Sequence, residues 1–173
     1  MVFGFLRGKG RDWIDKVKID ELEKERIRIE ARANMVLRQI EKLEAEKERL
    51  YEYGKNVSEG EQIMLAEKIK NIEDEIAAKQ QEYSDLLRQR QALVNLIRLK
   101  NFEAQLKRKG IWEKLKKADP EKLLDVLAEV KFEKEAFDKS VEAVVAALGP
   151  EIGGYAVDTR TKSIIKKMKK DEE

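Results

Sequence analysis

The chain has 173 residues, 42% apolar and 42% charged, with a net charge of +2 and neither cysteine nor histidine. The missing residue types remove disulfides, thiolate and imidazole catalysis and most zinc sites, and they fit a reducing cytoplasm. Charge far above the roughly 25% of an ordinary globular domain argues for long helices with a narrow apolar seam, while regular apolar spacing and low net charge argue against disorder. No apolar run approaches the roughly 20 residues that span a bilayer, and a cytoplasmic, peripherally membrane-associated protein is expected.

Residues 1–13 form an apolar-basic segment in which Phe3, Phe5, Leu6 and Trp13 interleave with Arg7, Lys9 and Arg11. Aromatic groups favour the lipid interface and cations favour anionic headgroups, which makes these seven residues a membrane-anchor candidate. The alternative is a terminus whose Phe residues fold back onto the rest of the chain.

The spacing then predicts a helix from Asp12 or Asp20 to Tyr53. Leu22, Ile29, Val36, Leu43 and Leu50 stand seven residues apart, with Ile19, Ala33 and Ile40 beside them. Such a repeat marks a helix face that packs on another helix. Gly54 suits the left-handed residue that ends a helix, and Ser58 with Glu61 has capping-box spacing.

A second helix is predicted from Glu59 to Lys109. Ile69, Ile76, Tyr83 and Ile97 form one row, interrupted by Arg90, and Ile72, Leu86 and Leu93 form another, interrupted by Lys79. The short turn makes the two helices an antiparallel hairpin, residues 14–109. On these lengths the second helix overshoots the first and its basic end is left without a partner from the hairpin.

Residues 110–149 are expected to form short helices. Gly110 permits a break, Ile111–Lys117 forms a short basic helix, and Asp119-Pro120 is an N-cap followed by proline at the first helical position. The next stretch, one helix or two with a bend near Lys131, carries Leu124, Leu127, Phe132, Phe137, Val141 and Val144 and stops at Gly149-Pro150. Residues 150–173 read as a flexible charged tail, with an extended segment at Gly153–Val157 and a basic helix from Thr159 to Lys170. The fold class is all-α: a long antiparallel helical hairpin followed by short helices and a charged tail.

Charge is blocked along the chain. Residues 86–118 carry ten basic and two acidic groups; residues 119–158 carry four basic and ten acidic. Arg88, Arg90, Arg98, Lys100, Lys107, Arg108 and Lys109 form a basic surface candidate for the phosphates of a membrane or of nucleic acid, against the ordinary reading of a solvated helix face. The acidic helix is free to answer it, closing one molecule or joining two, with Leu124, Leu127, Phe132, Phe137, Val141 and Val144 supplying the apolar contacts. There is no phosphate loop, Gly-x-Gly-x-x-Gly or nucleophile elbow. The carboxylates at Glu73-Asp74-Glu75 and at Glu41, Glu44 and Glu48 sit on heptad helices and read as solvated faces. No enzyme activity, cofactor or metal is expected.

This order of parts resembles the ESCRT-III family of membrane-remodelling proteins, including archaeal cell-division relatives. Phe3-Gly4-Phe5-Leu6-Arg7-Gly8-Lys9 is similar to the family's Leu-Phe-Gly-basic start, and Pro120 to Gly149 is similar to the segment holding its fourth and fifth helices. The first helix here is neutral where the family's is typically basic. The resemblance implies a self-assembling filament subunit on anionic membrane lipids, recycled by an AAA ATPase through its tail. No clear Leu-x-x-Arg-Leu-x-x-Leu docking motif is present; Ile164-Ile165-Lys166-Lys167-Met168 is its nearest counterpart. PspA/Vipp relatives share the hairpin. Two other readings compete: a coiled-coil adaptor or chaperone-like module, and a non-specific nucleic-acid-associated protein.

Overall fold

The structure is a computed structural model and describes residues 3–6, 8–149, 163–164 and 166–168. Among these, every regular element is helical: α1 (Trp13–Lys16), α2 (Ile19–Gly54), α3 (Glu59–Asn101), α4 (Glu103–Arg108), α5 (Ile111–Lys116), α6 (Pro120–Glu129) and α7 (Phe137–Leu148). Short 3-10 turns lie at Gly4–Leu6 and Lys134–Ala136. The two long helices, about 54 and 65 Å at 1.5 Å per residue, pack on each other as an antiparallel hairpin.

The heptad rows do build this hairpin. Leu22, Ile29 and Val36 of α2 and Ile69, Ile72, Ile76, Leu93 and Ile97 of α3 are buried. Leu43, Leu50 and Tyr83 are only half-buried, since along the handle each helix has one neighbour and its flanks stay wet. The polar interruptions in the rows are taken up by ion pairs. Arg90, in the Ile97 row, meets Glu30 at 2.6 Å. Lys79, in the Leu93 row, meets Glu82 at 3.5 Å, and Glu82 also takes Arg32 at 2.6 Å. The hydrogen bond from Arg90, helped by that from Arg26, holds the Glu30 carboxyl below its ordinary range against the opposing effect of burial.

The helix ends on both sides of the hairpin turn are capped. The Ser58 hydroxyl accepts from the Glu61 backbone N–H at 3.3 Å, as the capping spacing predicts. At the other side of the turn Gly54 stays within the helix, and its carbonyl accepts from the Gln62 side chain at 2.9 Å. The helix-ending left-handed glycine expected there is absent, because the turn closes through this side-chain bond.

One expectation is overturned at the far end. The chain does not run straight to Lys109: α3 stops at Asn101 and turns at Phe102, φ −102° and ψ 16°. Lys100 Nζ donates to the carbonyl of Ile14, 2.8 Å away and before α2 begins, so the end of α3 that outruns α2 is covered by the N-terminal segment and is not left without a partner. The reason is packing. A straight helix would carry Leu106 and Trp112 past the end of α2 into water; the turn at Phe102 and the left-handed Gly110, φ 74°, fold them back to complete burial.

The result is a hairpin handle with a packed head at its open end. α6 lies along α3, α7 packs on α6 and α5, and α1 packs on α5. Residues 3–17, the last turns of α3 and helices α4 to α7 share one apolar core. The stretch from Pro120 is two helices, with the bend over residues 130–136. Asp119 caps α6 by accepting from the Lys122 N–H at 3.3 Å. Of the tail, residues 163–164 and 166–168 are helical and exposed; Gly153–Val157 and the rest of the tail lie outside the described residues.

Candidate functional site

The head is where the charge blocks and the N-terminal segment meet. The segment is folded back onto the hairpin. Phe3 is 4%, Leu6 8% and Trp13 2% exposed, and the half-buried Phe5 has its ring 5.8 Å from that of Phe3. In this conformation the apolar anchor candidates fill the core and are not offered to solvent. Lys9 meets Glu21 at 3.4 Å, Arg11 is exposed, and Arg7 lies outside the described residues.

A polar clasp fixes the segment. Trp13 Nε1 donates to the carbonyl of Ala118 at 3.3 Å, and Trp112 Nε1 donates to Asp15 Oδ1 at 2.8 Å. Lys116 Nζ stands 2.8 Å from the other Asp15 oxygen and 3.5 Å from Asp12. Lys100, while bonded to Ile14, lies 5.9 Å from the centre of the Trp112 ring, within cation–π range. Burial raises the Asp15 carboxyl, but hydrogen bonds from Lys116 and Trp112 and the charges of Lys116 and Lys107 outweigh it and hold the group below its ordinary value. The hydrogen bond to Asp15, with the charges of Asp12 and Glu113, pushes the Lys116 ammonium above its own range.

These directions set a pH window. A depressed Asp15 stabilises the fold above the ordinary carboxylate range, and that contribution is lost as pH falls through its folded value. A raised Lys116 stabilises below the ordinary lysine range, and its contribution is lost only as pH rises through its folded value. The clasp therefore stays charged on both sides throughout the neutral region. Emission from Trp13 and Trp112 is expected to be constant from about pH 5 to 9 and to shift red only in acid below about pH 4. A transition inside the neutral window would contradict the clasp.

The basic surface candidates are drawn inward. Arg88 meets Glu129 of α6 at 2.8 Å, Arg90 meets Glu30, and Lys109 meets Asp138 of α7 at 2.6 Å. Arg98 donates to the Phe132 carbonyl at 3.0 Å and Lys100 to that of Ile14. Lys107 has only a long contact with Glu103, 3.6 Å, on its own helix, and Arg108 is exposed. The basic block thus meets the acidic helices of the same chain.

The six apolar residues of the acidic stretch seal that closure. Leu124, Leu127, Phe132, Val141 and Val144 are buried, and Phe137 sits between Phe102 and Phe132 with ring centres 4.4 and 5.5 Å away. Asn95, absent from the sequence-based candidates, holds α6 down. It is fully buried, and its Nδ2 donates to the Leu127 and Val130 carbonyls at 2.7 and 2.8 Å. These are end carbonyls of α6 that no following turn of helix can reach. A lone Asn between Leu93 and Ile97 was the available signal. Trp112, Asp15 and Lys116 had none, because the clasp joins segments about a hundred residues apart.

Among the described residues no helix is long and apolar enough to cross a membrane, and no cluster of acidic side chains is arranged to hold a metal. No family model matches the sequence, and comparison with curated proteins and with solved structures found no match either.

Proposed function

We propose that the chain is a self-assembling, ESCRT-III-like filament subunit that binds anionic membrane and remodels it, and that the closed head is its resting form. The observation that carries this reading is the collection of the N-terminal segment, α4–α5 and the acidic α6–α7 at one end of a long hairpin. Release of the segment would present Phe3, Phe5 and Leu6 to lipid, with Arg7, Lys9 and Arg11 at the phosphates. Release of α6–α7 would free Arg88 and Lys109 and let the acidic helices bridge to a neighbouring copy. Ile164 and Met168, 48% and 64% exposed, are accessible to an ATPase partner.

The test is co-sedimentation of the full chain with anionic vesicles at low salt, followed by electron microscopy. Binding with filaments or deformed vesicles is the expected result; failure to bind overturns the membrane reading. A second reading, a coiled-coil adaptor, is favoured by the hairpin tip, where Tyr51, Tyr53, Ile63 and Met64 are 49–66% exposed. Tyr and Met are enriched at protein interfaces. That reading predicts a small, discrete oligomer at every concentration, with no dependence on lipid.

A further inference from the structure

Two basic segments that are far apart in sequence lie together in the head. Lys116 reaches Asp12 and Asp15, so the last turn of α5 lies beside the loop that carries Arg11. Lys107 is near enough for its charge to act on Asp15. Arg11, Lys107, Lys114 and Lys117 are all exposed here. Arg11, Lys114 and Lys117 have no acidic partner among the described residues, and Lys107 has only the long contact to Glu103. Three acids stand among them, Asp12, Asp15 and Glu113, and all three contact Lys116. Arg11, Lys114 and Lys117 are therefore left as exposed cations, unpaired among the described residues, beside the loosely held Lys107, whereas Arg88, Arg90, Arg98, Lys100 and Lys109 are engaged within the molecule.

We propose that the closed molecule adsorbs to the anionic surface of a phospholipid membrane through Arg11, Lys107, Lys114 and Lys117, while Phe3, Leu6 and Trp13 remain buried. The proposal rests on the membrane reading above and separates two steps within it. Adsorption by charge comes first and leaves the fold intact; apolar insertion is a later event that requires the clasp to open. Headgroup phosphates suit the face because it is built of flexible, exposed cations around no cavity, which fits a diffuse charged plane better than a single small anion.

The experiment uses the full-length protein and vesicles of phosphatidylcholine with phosphatidylserine, with pure phosphatidylcholine as control. Three proteins are compared: wild type, Lys107→Gln/Lys114→Gln/Lys117→Gln, and Lys42→Gln/Lys68→Gln/Lys70→Gln, which removes equal charge from exposed hairpin positions. Circular dichroism and a thermal melt check that both variants fold. Each surface cation is worth about fivefold in membrane affinity, so the head variant is expected to bind about a hundredfold more weakly. The hairpin variant is expected to match wild type, and tryptophan emission of bound wild type is expected to match the free protein. If wild type binds and the head variant binds equally well, or if binding shifts tryptophan emission at once, this proposal is overturned and the membrane reading stands. If wild type does not bind at all, the membrane reading itself has failed.

Discussion

Trp112→Ala is expected to lower stability by about 3–5 kcal/mol, the range for emptying a buried large aromatic site. Trp112 is fully buried where α5 meets the N-terminal segment. Its ring supports Lys100 and its N–H holds Asp15. Loss of the ring removes apolar burial and the donor together. Trp112→Phe separates the two: it keeps most of the packing and should cost about 1–2 kcal/mol for the missing hydrogen bond. Urea unfolding followed by circular dichroism measures both, with Trp13 left as the sole tryptophan to report whether the segment has come away. Equal losses in the two variants would show that packing is a minor part of the site. Since whole domains have only about 5–15 kcal/mol of net stability, the Ala variant should populate a form with the N-terminal segment detached.

Asn95→Ala is expected to cost about 2–3 kcal/mol. Its amide is the donor for the carbonyls of Leu127 and Val130 where α6 ends, and an unsatisfied buried carbonyl costs about 1–3 kcal/mol. The side-chain oxygen of Asn95 has no partner of its own, so its removal offsets part of that loss. The decisive companion is Asn95→Leu. Leucine fills the same space with apolar atoms but cannot donate, so it should fail to restore stability. Hydrogen exchange should show the loss concentrated in α6 while the distal hairpin keeps its protection. A leucine variant as stable as wild type would mean that volume, not hydrogen bonding, holds α6 on α3.

The hairpin was legible because its cause is local. A seven-residue repeat fixes which face of each helix is apolar, and a turn of a few residues leaves antiparallel pairing as the way to cover it. Caps read equally well, since Ser58 and Asp119 act on backbone groups three residues ahead. The end of α3 was misread for the complementary reason. Residues 102–109 have adequate helix propensity, and propensity cannot register that Leu106 gains a core by turning. The ion pair at Arg90 was visible only as a fault in a heptad row, because its partner Glu30 on the other helix is assigned by register, whereas Glu82 lies three residues along the same helix from Lys79.

Sequence alone determined the class of fold, the pairing of the long helices, the break between α6 and α7 as one of two options, and the alternation of basic and acidic blocks. All of these follow from spacing and charge along the chain. Tertiary structure alone decided what the blocks do to each other. It placed Glu129 and Asp138 against Arg88 and Lys109, buried Phe3, Leu6 and Trp13, and left Arg11, Lys114 and Lys117 exposed and unpaired among the described residues of the head. The physical reason is that ion pairing and burial depend on distances through space between residues up to about a hundred positions apart. Sequence spacing fixes those distances within a helix, and only packing fixes them between helices.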